Sequence, residues 1–100
     1  MNSFSLGWEE AALDDRGDIY EFLAEFNLEA AERTDLLIEA AAESLMHHPN
    51  RHPACSGGKG RKMVLTKIPF ILIYSVDTKI NCVRVLRVFH QAQKIPKLDH

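Results

Sequence analysis

Arg61, Arg87 and His90 carry side chains that together form a chemically complete set for cutting RNA. That reaction needs a base for the 2′-hydroxyl, an acid for the leaving oxygen and a cation for the charge on the phosphorane. His90 fills the acid or base role, and Arg61 or Arg87 the role of charge stabiliser. The set is unspecific, because most small basic proteins could supply one like it. The simpler reading of Arg84 and Arg87, inside the run Val83-Arg84-Val85-Leu86-Arg87-Val88, is structural, with stems on apolar neighbours and heads in water. A Ser/His/Asp or Cys/His nucleophile set depends on proximity in space, which spacing along this chain does not show.

Metal and phosphate chemistry are weaker still. His47, His48, His52 and Cys55 fall within nine residues, but structural zinc sites pair their ligands as Cys-x-x-Cys or His-x3-5-His. His48 and His52 would meet that spacing only if a helix ran through Pro49, which the proline ring forbids. No metal and no cofactor is therefore expected. Neither nucleotide-binding glycine fingerprint occurs. The segment Ser56-Gly57-Gly58-Lys59-Gly60-Arg61-Lys62 offers backbone N–H groups beside three cations and is able to hold a phosphate or carboxylate, though a basic loop is the plainer reading.

Charge is distributed very unevenly along the chain. Residues 1–48 carry twelve carboxylates against Arg16 and Arg33, a net −10, whereas residues 49–100 carry ten lysines and arginines against Asp77 and Asp99, a net +8. The overall −2 conceals this split. It suits either an acidic helix surface opposite a basic sheet, or a face built for a polyanion or an acidic protein segment. One hundred residues without an internal repeat fit one domain spanning 1–100. No stretch of about 18 apolar residues occurs, so no membrane helix is expected. The start, MNSFSLGWEE, has no basic and then apolar run, so it does not read as a secretory signal. Cys55 and Cys82 are too few for a disulfide framework and fit a reduced, cytoplasmic protein.

The elements that must position these groups follow from periodicity. Phe4–Trp8 alternates like a strand. A helix is expected from about Glu9, with Leu13, Ile19, Leu23 and Phe26 on its apolar stripe and Tyr20 and Phe22 broadening it. Gly17 costs about 1 kcal/mol relative to alanine there, so a late start or a bend is expected. Asn27 ends this helix and caps a second, from Leu28 to about His47, lined by Ala31, Ile38, Ala41 and Leu45 with Asp35, Glu39 and Glu43 opposite. A Pro/Gly-rich loop from Pro49 to Gly60 follows. Strands are expected over Arg61–Lys67, Phe70–Val76 and Ile80–Phe89, the last two joined by a turn at Val76-Asp77-Thr78-Lys79. The order β-α-α-β-β-β predicts an α+β fold: an N-terminal strand and an antiparallel helical hairpin on one face of a mainly antiparallel four-stranded sheet. Trp8, Ile19, Leu23, Ile38, Leu45, Leu72 and Val85 are expected to be largely buried.

Taken in order, these segments resemble toxins of the RelE/ParE superfamily, from bacterial type II toxin–antitoxin modules. The resemblance rests on Ala12 with Asp15-Arg16-Gly17-Asp18-Ile19-Tyr20-Glu21-Phe22-Leu23 for the family's Asp-Leu-x-x-Ile-x-x-Tyr-Ile, and on Ala30-Ala31 for its paired alanines. It continues through Leu45 with Pro49, Gly60-Arg61, Pro69-Phe70-Ile71-Leu72-Ile73-Tyr74-Ser75-Val76, and Leu86-Arg87-Val88-Phe89-His90. It covers nearly all of residues 4–96, and the order and spacing of its motifs carry it.

The resemblance implies a growth-inhibiting toxin of the plasmid-stabilisation type, neutralised by a small antitoxin that covers basic surface and an apolar groove. Arg87 and His90 occupy family signature positions. The chain departs from RelE at Ile71 and Gln91, where RelE has arginines that serve ribosome-dependent mRNA cleavage, and so sits closer to the ParE branch, whose best-known members inhibit DNA gyrase. Three readings stay open: a ParE-like inhibitor of a target such as DNA gyrase, a RelE-type mRNA interferase using His90, Arg61 and Arg87, and an inactive antitoxin-binding member. Contacts with target or antitoxin are expected at Lys59, Arg61, Lys62, Arg84, Arg87 and His90. Arg16 replaces the family's leucine, which implies either a pair with a helical carboxylate such as Glu9 or Glu21, or a helix face rotated from the stripe given above.

Overall fold

The computed structural model describes residues 4–55 and 60–92. Its elements are β1 (Ser5–Trp8), α1 (Glu10–Ala24), α2 (Leu28–Ser44), β2 (Arg61–Val64), β3 (Phe70–Asp77) and β4 (Cys82–His90). The helix junction forms as its chemistry dictates: the Asn27 side chain accepts a hydrogen bond from the Ala30 N–H, satisfying a donor that the first turn of α2 leaves open. α1 runs without interruption through Gly17 and does not start late. α2 and β2 end a few residues earlier than periodicity implied, at Ser44 and Val64, and β4 begins at Cys82 because Asn81 adopts a positive φ of 50° in the turn before it.

The four strands form one sheet in the order β1-β4-β3-β2. β2–β3 and β3–β4 are antiparallel, while β1 lies parallel to β4, so the sheet is mixed with one parallel pair. The parallel pair is possible because the whole helical hairpin and two strands intervene between β1 and β4. Alternate residues of β3 separate the two faces. Leu72 joins Ala12, Ile38, Ala42 and Val85 under the helices, with Tyr74 and Val83 packed against Leu45 beside them. Ile71 and Ile73 point the other way, with Phe89, and are met by Leu86 and Cys55.

Ile38, Leu45, Leu72 and Val85 are buried as expected, whereas Trp8, Ile19 and Leu23 are only half-buried. The stripe assigned to α1 is also turned. Ala12 is the helix's fully buried residue, while Leu13, Phe22 and Phe26 are exposed. The reason is Arg16. Its guanidinium lies 4.5 Å over the Trp8 ring and makes two 2.9 Å hydrogen bonds to Asp35 of α2, with Glu39 at 3.6 Å. The pair thus forms with α2 rather than with Glu9 or Glu21, and the helix is rotated to bring Arg16 inward.

Candidate functional site

The strand that holds three of the candidate residues, Arg84, Arg87 and His90, is irregular at a decisive place. Tyr74 pairs with Val85 but Ile73 pairs with Arg87, leaving Leu86 without an opposite number. A strand alternates with period two, so without this bulge Arg87 would share the helix-covered face with Val83 and Val85. The extra residue moves Arg87 opposite Ile73 and returns Val88 to the core beside Leu72. The break in the apolar alternation at Leu86-Arg87 is the sequence trace of the bulge.

Arg87 is then held from three sides. Its Nε and Nη2 donate to Asp15 Oδ2 and Oδ1 at 2.8 and 3.0 Å, and its guanidinium lies 4.7 Å over the Phe89 ring. The same Asp15 Oδ2 accepts the Val88 N–H at 2.8 Å. β1 ends its pairing with β4 at Val85, whose carbonyl accepts the Glu9 N–H. Beyond that point β4 has an open edge, and the first helix lays Asp15 across it. The carboxylate holds the Arg87 guanidinium above its usual pKa through these hydrogen bonds, against the opposing effect of burial. Sequence reasoning singled out Arg87 but missed Asp15, since nothing along the chain relates positions so far apart.

Arg84 pairs with Glu9 at 3.0 Å on the exposed surface, and that hydrogen bond raises its pKa. Arg61 donates to the His52 carbonyl at 2.7 Å and stands opposite Tyr74, whose hydroxyl donates to the Pro49 carbonyl at 3.0 Å. Burial pushes the Tyr74 phenol up and the His52 imidazole down, with Arg51 adding to the latter. The loop over residues 49–55 is thereby tied to the sheet by Arg61 and Tyr74, together with the Lys62 N–H to the Pro53 carbonyl. Burial also raises the Cys55 thiol's pKa, against a smaller opposing effect of Lys62. His90 ends β4 opposite Phe70, its ring edge-on to that phenyl at 5.2 Å, and its Nδ1 accepts the Ala92 N–H.

These positions do not converge. Arg61 pairs with Tyr74 and His90 with Phe70, four residues apart on β3 and on strands two spacings apart. Sheet geometry puts their backbones about 13 Å apart along the strand and about 10 Å across it, so roughly 16 Å in all. Arg61 is turned onto the His52 carbonyl and His90 lies against the Phe70 ring, so as they stand the two are not gathered on one phosphate. Ile71 is buried among apolar side chains, and Gln91 donates to the Leu65 carbonyl, so neither supplies a cation. Lys59, with Gly57 and Gly58, lies outside the described residues. Lys62, Lys67 and Lys79 have no carboxylate partner among the described residues. Among the described residues no group of three or more His, Cys, Asp and Glu side chains is placed to hold a metal ion. No helix there is long and apolar enough to cross a membrane.

The fold has close counterparts. The toxin–antitoxin system ParDE from the P. aeruginosa chromosome superposes with a TM-score of 0.72 at 22% identity, covering 88% of this chain and 96% of that one. A RelBE toxin–antitoxin complex from Mycobacterium tuberculosis gives 0.70 at 16%, covering 88% and 98%, and the intact E. coli RelBE complex 0.62 at 16%, covering 92% and 100%. No curated protein sequence matches. The model of the ParE toxin of type II toxin–antitoxin systems matches residues 6–95. With that match spanning nearly the whole chain, and the fold shared with ParDE and RelBE, this chain belongs to the ParE toxin family of type II toxin–antitoxin systems.

Proposed function

We propose that the chain inhibits growth by binding a protein target, DNA gyrase being the target the ParE branch implies, and that a cognate antitoxin neutralises it. The observation that carries this reading is the scatter of the nuclease candidates. Arg61 and His90 lie on different strands with their side chains turned to the His52 carbonyl and the Phe70 ring, and the Arg87 guanidinium is engaged by Asp15. A binding protein has no such requirement, since its contacts need only be spread over a surface. Lys62, with Arg61, Arg84, Arg87, His90 and Lys59, would meet target or antitoxin, and opposite fields would steer that encounter. A plasmid-stabilising role belongs to the same reading. That the ParDE and RelBE structures are toxin–antitoxin systems supports the antitoxin partner.

The test is to induce the chain in bacteria and follow DNA supercoiling and mRNA integrity together. Loss of supercoiling with mRNA intact is expected. Prompt mRNA cleavage, abolished by His90→Ala, would establish the interferase reading instead. Growth unaffected by the induced, folded protein would leave an antitoxin-binding module without toxicity.

A further inference from the structure

The end of the helical hairpin exposes aromatic surface that the fold does not use. Phe22, in the last turn of α1, and Phe26, in the turn that follows it, are 63% and 74% exposed, and Leu28, just past the Asn27 cap, is 55% exposed. The two phenyl rings meet edge to face at 5.3 Å, and the junction beneath them is pinned by the Phe26 and Asn27 N–H groups on the Leu23 carbonyl. The feature is thus a formed knob on a rigid turn. Phenylalanine buries about 150–250 Å² when covered, so these three residues together present roughly 400 Å². That lies in the range of the largest patch on a typical monomer, about 300–600 Å², which is often functional.

The charge along this stretch is predominantly negative. Residues 17–33 carry Asp18, Glu21, Glu25, Glu29 and Glu32 against Arg33 alone. Glu29 has a local reason, in the first turn of α2. Glu21 and Glu25 do not. They sit at the C-terminal end of α1, where the last turn holds no basic residue and the helix dipole disfavours carboxylates. The sequence therefore places both an aromatic pair in water and acids at the wrong end of a helix, in the same place.

We propose that this knob is a docking site for a basic protein surface bearing an apolar pocket, distinct from the lysine- and arginine-bearing surface of the sheet. The charge excludes other occupants. Nucleic acid and anionic lipid would be repelled. A second copy placed symmetrically would set the same five carboxylates against each other. A patch of this size is about half of one side of a standard interface, so it acts as an anchor rather than a whole interface.

The test uses the full chain and a short synthetic helical peptide, leucine on one face and lysine on the other, titrated by calorimetry and mapped by NMR. Binding centred on Phe22 and Phe26 is expected. Phe22→Ser with Phe26→Ser should weaken it at least about tenfold, leaving the melting temperature nearly unchanged because both side chains are already in water. Glu21→Lys with Glu25→Lys should also lose binding while raising the melting temperature, a combination a structural role would not produce. Equal binding of a leucine/glutamate peptide, or binding indifferent to both double variants, overturns the proposal. So does self-association removed by Phe22→Ser with Phe26→Ser, or retention on vesicles of anionic lipid. None of these readouts depends on toxicity, so the proposal and the growth-inhibitor reading fail separately.

Discussion

Asp15 is expected to be worth more to this fold than the arginine it holds. Asp15→Ala removes two things at once: the acceptor for the Val88 N–H and the bidentate partner of Arg87. A hydrogen bond to a charged group contributes about 1.5–3 kcal/mol. The ion pair is worth less, about 1 kcal/mol, because the Arg87 side chain is 33% exposed and solvent screens it, although Asp15 is only 15% exposed. The sum is about 2.5–4 kcal/mol, a large part of the roughly 5–15 kcal/mol that holds a domain folded. At about 4–8 °C per kcal/mol for a chain of this size, the midpoint should fall by at least about 10 °C. Arg87→Ala leaves Asp15 on the Val88 N–H and should cost only about 1–2 kcal/mol, including the lost contact with Phe89. Urea unfolding of both single variants and the double variant closes the cycle, with a coupling of about 1 kcal/mol expected. Hydrogen exchange at the Val88 amide should quicken in Asp15→Ala and stay slow in Arg87→Ala. An Asp15→Ala cost no larger than that of Arg87→Ala, or unchanged exchange at Val88, would refute the edge-capping argument.

Three further outcomes follow from single positions. Gly17→Ala should stabilise the protein by about 1 kcal/mol in thermal unfolding, because α1 is continuous there and nothing lies within 4 Å of the added carbon. Gly60→Ala should destabilise it by at least about 2 kcal/mol, since φ is +80° and the added carbon would stand 2.8 Å from the Tyr74 carbonyl oxygen; an unchanged urea midpoint would disprove this. His52 has its pKa lowered from 6.5, chiefly by burial and secondarily by Arg51. The unfolded chain then takes up the proton first, so the His52 contribution is complete above 6.5 and is lost as pH falls from there through the depressed value. His52→Asn should flatten the decline of stability on acidification over that window, measured by melting at a series of pH values.

Much of the architecture could be read from local chemistry alone. The Asn27 cap and the strand from Phe70 are decided by a few neighbouring residues, and both are found in the folded protein. The family resemblance was legible for the same reason, as an ordered series of such local signals. The rest depended on partners distant in sequence. The face of α1 is set by Arg16 meeting Asp35 across the hairpin and Trp8 beneath it, so a stripe drawn from hydrophobicity alone placed Leu13, Phe22 and Phe26 inside when they are outside. The direction of Arg87 is set by a bulge opposite Ile73, and its engagement by Asp15, seventy-two residues away. Composition and periodicity determine which segments become helix or strand, because those preferences are properties of neighbours. Which charges pair, which apolar side chains stay in water and which candidate residues share a surface are decided only when the sheet closes and brings distant groups within hydrogen-bond range.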